Sequence, residues 1–158
     1  MNEKILTTEE GIKIANKLRA KNLKIVLVGG CFDILHIGHI TFLEKAKKQG
    51  DILFTLVESD EHIRELKGSK RPLNTQNDRA TLLSHLDIVD YVVLLPQTTD
   101  YDHLVKQIKP AIIATTAGDS NRIHKERQAK QISAKVVDVT SEISNQSTTR
   151  LINVLNEI

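Results

Sequence analysis

Apolar positions along the chain fall into two alternating patterns. Short, nearly continuous runs rich in β-branched residues occur at 24–28 (KIVLV), 52–57 (ILFTLV), 91–95 (YVVLL), 111–115 (AIIAT) and 134–139 (AKVVDV). Runs of this length without polar alternation are expected of strands covered on both faces of a parallel sheet. Between them, apolar residues recur at helical spacing. The first such segment opens on TTEE, where Thr7 and Glu10 stand at capping-box separation and Ile12, Ile14, Ala15 and Leu18 supply most of a buried stripe. Further helices fit 38–49, 59–67, 75–86, 100–108, about 120–131 and 147–157. Strand and helix in alternation predict an α/β fold: one Rossmann-like domain over 1–158, with an open parallel five-stranded sheet, right-handed crossovers and helices on both faces.

In such sheets, ligands bind outside the carboxyl ends of the strands, where the strand order reverses. KIVLV is the first predicted strand, GGCFD leaves its carboxyl end, and the helix bearing HIGHITFLEKAKK follows at once. Gly29, Gly30 and Gly38 allow close approach of the backbone to a ligand. The amides and positive dipole end of the new helix then favour a phosphate. His36 and His39 add side-chain donors, and Lys47, eight residues beyond His39, is read as reaching back along the same helical face. As a zinc pair the histidines lack a third ligand in a legible spacing and the HExxH pattern, so no metal ligands are assigned. The GxGxxG dinucleotide fingerprint is also missing. Structural histidines beside an ordinary glycine turn are the plain alternative.

Composition narrows the classes. At 158 residues the chain is long enough to bury a sizeable core. The one cysteine, Cys31, can form neither an internal disulfide nor a cysteine zinc cluster, and the expectation is a reducing cytoplasm. No apolar run reaches the roughly 18 residues of a membrane helix, and the opening MNEKILTTEEG has no signal-peptide core. Twenty-two basic against 20 acidic residues give a formal charge of +2, too balanced for nucleic-acid binding by bulk field. Neither nucleic acid nor membrane is expected as a partner.

Two further constellations carry polar chemistry. KGSKRPLNTQNDRA places Lys67, Lys70 and Arg71 on a segment broken by Gly68 and Pro72, read as a mobile basic loop ahead of a helix containing Arg79. A solvated loop and a structural ion pair of Arg79 are the plain alternatives. ISNQSTTR places Ser147, Thr148 and Thr149 before an amphipathic helix, as an N-cap or as donors to an anion. TTAGDSNRIHKERQ ends in a helix whose Arg122, His124, Lys125 and Arg127 are read as an exposed charged face, with alternative phosphate contacts as the other reading.

Taken in order, GGCFDILHIGHITFLEKAKKQGD, KGSKRPLNTQNDRATLL and STTR resemble the HxGH nucleotidyltransferase superfamily in its cytidylyltransferase-like branch. The pattern GCFDILHxGH, KGxxRPLN and STT is most similar to the adenylyltransferase half of enzymes that make nucleotide-activated heptose. Glycerol-3-phosphate cytidylyltransferases and archaeal-type FAD synthetases share the frame. The resemblance implies transfer of a nucleoside monophosphate, AMP favoured, from a nucleoside triphosphate to a phosphorylated small acceptor such as heptose 1-phosphate, with Mg²⁺ bound mainly through the triphosphate. It assigns catalysis to His36, His39 and Lys47, and nucleotide or phosphate contacts to Gly30, Cys31, Phe32, Asp33, Gly38, Arg79, Gly118, Asp119, Ser147 and Thr148, with Asp33 fixing the turn or meeting a ribose or metal-associated group. Lys67, Lys70 and Arg71 would contact the acceptor. A homodimer is also implied. The match weakens after the fourth predicted strand, where the heptose enzymes carry a lysine in place of Thr116 and an aromatic residue in place of Ser120. Base and acceptor identity therefore stay open, and a nucleotide-binding module without turnover is the alternative of another class. No kinase segment is present in the sequence, so a separate protein is expected to phosphorylate the acceptor.

Overall fold

A computed structural model describes residues 3–141 and 148–156. Its strands are β1 (Ile5–Leu6), β2 (Ile25–Gly30), β3 (Ile52–Val57), β4 (Tyr91–Leu94), β5 (Ile112–Thr116) and β6 (Lys135–Thr140). The helices are α1 (Thr8–Ala20), α2 (Ile37–Lys47), α3 (Asp60–Lys67), α4 (Gln76–Ser84), α5 (Tyr101–Ile108), α6 (Arg122–Ile132) and α7 (Thr148–Asn156). All pairings are parallel, in the order β1-β4-β3-β2-β5-β6.

The sheet therefore has six strands rather than the five expected. The added strand is two residues long, pairing Ile5 and Leu6 with Val92 and Val93 at the sheet edge. Two residues cannot display a period, so tertiary pairing alone makes this a strand. The five longer strands and seven helices otherwise follow the apolar pattern closely.

Alternation within each strand explains why the runs were continuous. Ile25 and Leu27 enter one core with Phe54, Leu56 and Leu104, whereas Val26 and Val28 enter the other with Leu43, Leu53 and Leu83. Both faces are covered, so successive side chains are all apolar. The helix starts are equally local in origin. Thr7 accepts from the Glu10 amide while Glu10 accepts from the Thr7 amide at 2.8 Å, forming the expected capping box. Ser59, Thr75 and Asp100 cap α3, α4 and α5 by the same side-chain chemistry.

Strand order reverses between β2 and β5. From β2 the chain builds outward through β3 and β4 on one side, then crosses to β5 and β6 on the other. The crevice at the carboxyl ends of β2 and β5 is thus the expected ligand position.

Candidate active site

A cavity of about 660 Å³ opens at that crevice, lined on one wall by the β2–α2 turn and on the other by the ends of β5 and β6. Its size falls in the range of small-molecule sites. Lys67 from α3 and Thr148 and Thr149 from α7 complete the rim.

The β2–α2 wall begins with Gly30, where a Cβ would meet the Phe32 ring at 3.1 Å. Phe32 itself is buried at φ +48°, a backbone region unfavourable for a bulky residue and held here by its packing. Its ring centroid lies 5.3 Å from that of His39, and the His36 and His39 centroids are 3.9 Å apart. His36 is the N-cap of α2, its Nδ1 accepting from the Gly38 amide at 3.1 Å. The Gly38 amide expected to face a phosphate is therefore turned to the histidine ring. A neutral imidazole whose Nδ1 accepts carries its proton on Nε2, leaving that N–H as a donor.

Both rings favour the neutral form. Burial lowers the His36 pKa. Burial, reinforced by charge at His36 and Lys67, lowers His39 to about 4 against a smaller opposing pull from the Ile34 carbonyl. His39 Nδ1 is buried and lacks a hydrogen-bond partner among the described residues. Cys31 lines the same wall, and burial pushes its thiol pKa up, so it is a packing group rather than a thiolate.

Asp33, Arg71 and Arg79 hold the wall, Asp33 in the turn-fixing role that was one of its two expected ones. Asp33 is 1% exposed and accepts from Arg71 Nε at 2.6 Å, the Leu73 amide at 2.8 Å and the Asn74 amide at 3.0 Å. Asn74 Nδ2 returns a bond to the Asp33 carbonyl at 2.6 Å. The basic segment expected to be mobile is thereby latched onto the GCFD turn. Arg71 is one half of this latch, and neither Asp33 nor Arg71 is among the cavity-lining residues. Arg79 is fully buried, donating to the carbonyls of Asn74 (3.1 Å), Cys31 (2.5 Å) and Glu58 (2.7 Å) and to Asp60 Oδ1 at 2.7 Å. Its guanidinium is engaged by the protein on every nitrogen, so the structural alternative describes it.

Lys47 is also placed elsewhere. Its ammonium sits at 2.5 Å from both Asp90 Oδ2 and the Asp51 carbonyl, at the end of α2 away from the histidines. Eight residues of helix rise about 12 Å, beyond what a lysine reaching back would cover. Lys70 is exposed and does not line the cavity, whereas Lys67 does. Thr148 is buried, its Oγ1 donating to the Ile34 carbonyl at 3.3 Å, which ties α7 to the histidine turn. Ser147 lies outside the described residues.

The β5–β6 wall adds Thr115 and Thr140, which the sequence reading passed over, to the Gly118 and Asp119 it named. Thr115, Thr116 and Thr140 lie at strand ends, and Phe42 faces them from α2. Gly118 turns the chain at φ +80°, a left-handed conformation suited to glycine. Asp119 follows and meets Lys125 Nζ at 2.5 Å. Lys125, expected on an exposed face, thus belongs to the cavity, while Arg122 pairs with Glu126 and Asp138, and Arg127 with Asp102. The rule that ligands gather at strand ends points to the threonines. No spacing in the sequence indicates Lys125.

The family model described as cytidylyltransferase-like matches residues 27–154. The bifunctional protein HldE of Aliarcobacter butzleri is 46% identical over 112 residues, covering 71% of this chain. HldE of Nitratiruptor is 42% identical over 152 residues, covering 92% of this chain. The chain spans 23% and 32% of the length of those two relatives. Among solved structures, a lipopolysaccharide core biosynthesis protein from Thermoplasma volcanium superposes with a TM-score of 0.64 at 30% identity, covering 76% of this chain and 97% of its own. A pantoate-beta-alanine ligase from Francisella tularensis, with TM-score 0.64 and 17% identity, covers 98% of this chain and 78% of its own and shares the fold.

Proposed function

Because this chain belongs to the cytidylyltransferase-like family, we propose that it is a nucleotidyltransferase moving a nucleoside monophosphate, AMP in the favoured case, from a nucleoside triphosphate to a phosphorylated sugar such as heptose 1-phosphate. The observation that carries the reading is the convergence of His36, His39, Lys67 and Thr148 on one cavity at the switch point of the sheet. The relatives whose names include HldE, and the lipopolysaccharide core protein of similar fold, support the sugar as acceptor class.

In this reaction an oxygen of the acceptor phosphate forms a bond to the α-phosphorus. The bond from that phosphorus to the bridging oxygen of the β-phosphate breaks, and its electron pair leaves with pyrophosphate. An ionised phosphate already carries the attacking lone pair, so no general base is required. That requirement suits a site whose histidines are held neutral. His36 offers an Nε2–H donor to the phosphate oxygens, where negative charge shifts during transfer, and Lys67 adds a point charge. The N-terminus of α7, with Thr148 and Thr149, faces the same region and favours anions. The clamps on the β2–α2 turn hold these donors in place before substrate arrives, which lowers the reorganisation the reaction would otherwise need.

In this reading Mg²⁺ would be brought by the triphosphate, whose oxygens would hold it, and would supply charge neutralisation there. Among the described residues the one carboxylate lining the cavity is Asp119, already paired with Lys125, which suits a metal carried by the substrate rather than caged by the protein. The test is pyrophosphate release with Mg²⁺, using ATP and CTP in turn against heptose 1-phosphate, glycerol 3-phosphate and FMN, beside a His36→Ala/His39→Ala variant. Release from ATP with heptose 1-phosphate, lost in the variant, is the expected result. Release with a different pair reassigns the substrates, and nucleotide binding without release under any pair overturns the enzyme reading.

A further inference from the structure

The helices that cross between strands run antiparallel to them, so their last turns and the strand starts share one end of the sheet, opposite the cavity. Six exposed lysines gather there. Lys21 and Lys48 cap α1 and α2, Lys109 caps α5, and Lys130 lies in the last turn of α6. Lys24 precedes β2 and Lys135 opens β6. α1, α5 and α6 cover one face of the sheet and α2 the other, so the lysines reach across all three layers. Among the described residues, none of the six makes an ion pair or a side-chain hydrogen bond. Two neighbouring cations are turned inward instead, Lys47 to Asp90 and Arg19 to the carbonyls of Gln107 and Ile108.

Carboxylates at this end are fewer. Asp51 accepts from the Lys24 amide at 2.7 Å and Asp90 holds Lys47, which leaves the exposed Glu44 and Asp87. At the opposite end the first helical turns carry Glu9, Glu10, Asp78 and Asp102. The formal charge of +2 is thus an average over two unlike ends. An even balance along the chain conceals a basic end that residue order alone does not assemble. Complementing the helix dipole accounts for a lysine in a last turn, an effect that fades beyond that turn. It does not extend to Lys24 and Lys135, which lead into strands.

The chemistry of the patch favours one kind of partner. Its unengaged cations are lysines, compact point charges without the planar fork that reads base edges or phosphates in pairs. Tyr91, the aromatic residue at this end, is packed against Phe54 with ring centroids 5.1 Å apart. Without stacking platforms, a nucleic acid would meet attraction for its backbone alone. Lysines spread across a blunt end match a plane of fixed negative charge. We propose that this end of the sheet docks on an anionic lipid bilayer by charge, without insertion. Docking in this orientation turns the cavity away from the membrane and leaves it open to solvent.

The experiment is cosedimentation with vesicles of phosphatidylcholine alone and of phosphatidylcholine with one third phosphatidylglycerol, at about 0.1 M and about 0.5 M NaCl. Binding is expected to the anionic vesicles at the lower salt, and neither at the higher salt nor to neutral vesicles. A Lys21→Gln/Lys109→Gln/Lys135→Gln variant should partition about a hundredfold more weakly, given the usual worth of a lysine near a charged bilayer. A Lys13→Gln/Arg64→Gln/Arg127→Gln variant loses the same net charge elsewhere and should stay within about threefold of the unaltered protein. All six positions are exposed, so both variants keep the fold, which circular dichroism checks. Equal loss in the two variants, or binding that ignores salt, overturns the inference. So does an unaltered protein that stays in the supernatant beside anionic vesicles at the lower salt. Binding to single-stranded DNA and not to vesicles would assign the patch to nucleic acid and overturn it as well. Partition rather than turnover is read, so failure of the nucleotidyltransferase reading would leave this result standing.

Discussion

The turn leaving β2 and the loop leaving β5 occupy equivalent places, each at the carboxyl end of a central strand and each feeding a helix, yet their polar groups are fixed in different ways. The β2 turn is interlocked from behind: Asp33 and Arg79, both buried, bind backbone groups of the basic segment and of Cys31, and neither lines the cavity. The β5 loop is fixed from within the cavity, by a partly exposed pair of side chains at its surface, Asp119 and Lys125. Charge removed from solvent and aimed at carbonyls makes a rigid platform, suited to chemistry that depends on preorganised donors. Charge left at the cavity surface is adjustable by single substitutions without loss of the fold, which suits selection among substrates.

This contrast is open to attack at several points. The largest effect is expected from Arg79→Met, which leaves Asp60 and three carbonyls without their partner. It should lower stability by about 3 to 5 kcal/mol, read as a fall in Tm of roughly 10 °C. Normal stability combined with a raised KM for the triphosphate would make Arg79 a ligand and collapse the distinction. His36→Ala should come next, lowering kcat by about 10² to 10³ while the fold persists, as for loss of one oriented donor. Single-turnover rates beside far-ultraviolet circular dichroism would separate the two effects.

The pH dependence sharpens the same point. His39 in the folded protein has its pKa lowered to about 4, whereas an unfolded chain has the ordinary value of about 6.5. Between those values the unfolded chain binds a proton that the folded one does not, so stability falls as pH drops through this window and recovers as pH rises toward 6.5. Urea midpoints measured from pH 7 to pH 4 should show the fall, and His39→Asn should reduce it, leaving the contribution of His36. An unchanged slope would mean that His39 is solvated rather than enclosed by the platform. The smallest effect is expected of Lys47→Ala. It breaks a partly exposed pair with Asp90, costing about 1 kcal/mol or less, with kcat unaltered. A large drop in kcat would return Lys47 to the site.

Legibility in the sequence followed the range of the interaction. The long strands, the helices and the Thr7 capping box were readable because burial periodicity and capping act over a few residues. The edge strand Ile5–Leu6 was not, since its identity depends on Val92 and Val93 far along the chain. The histidine turn was readable as a candidate ligand site from its strand-glycine-helix context and its resemblance, and the cavity does gather His36, His39, Gly118, Asp119 and Thr148. The cations were not sorted by the sequence. Lys47, Lys67, Lys70, Arg71, Arg79 and Lys125 are all basic residues near plausible motifs, and two of the six, Lys67 and Lys125, line the cavity.

Residue order by itself determined the alternation of strand and helix, the glycine turn after β2 and the pair of histidines at the start of α2, because each is set by neighbours within a turn or two. Only the tertiary structure decided where each charge goes. Asp33 meets Arg71 across 38 positions, and Arg79 meets Cys31 across 48. A guanidinium becomes a clamp or a ligand according to which carbonyls the packed helices bring within 3 Å of it, and that choice is made by the burial of both faces of the sheet rather than by any local spacing.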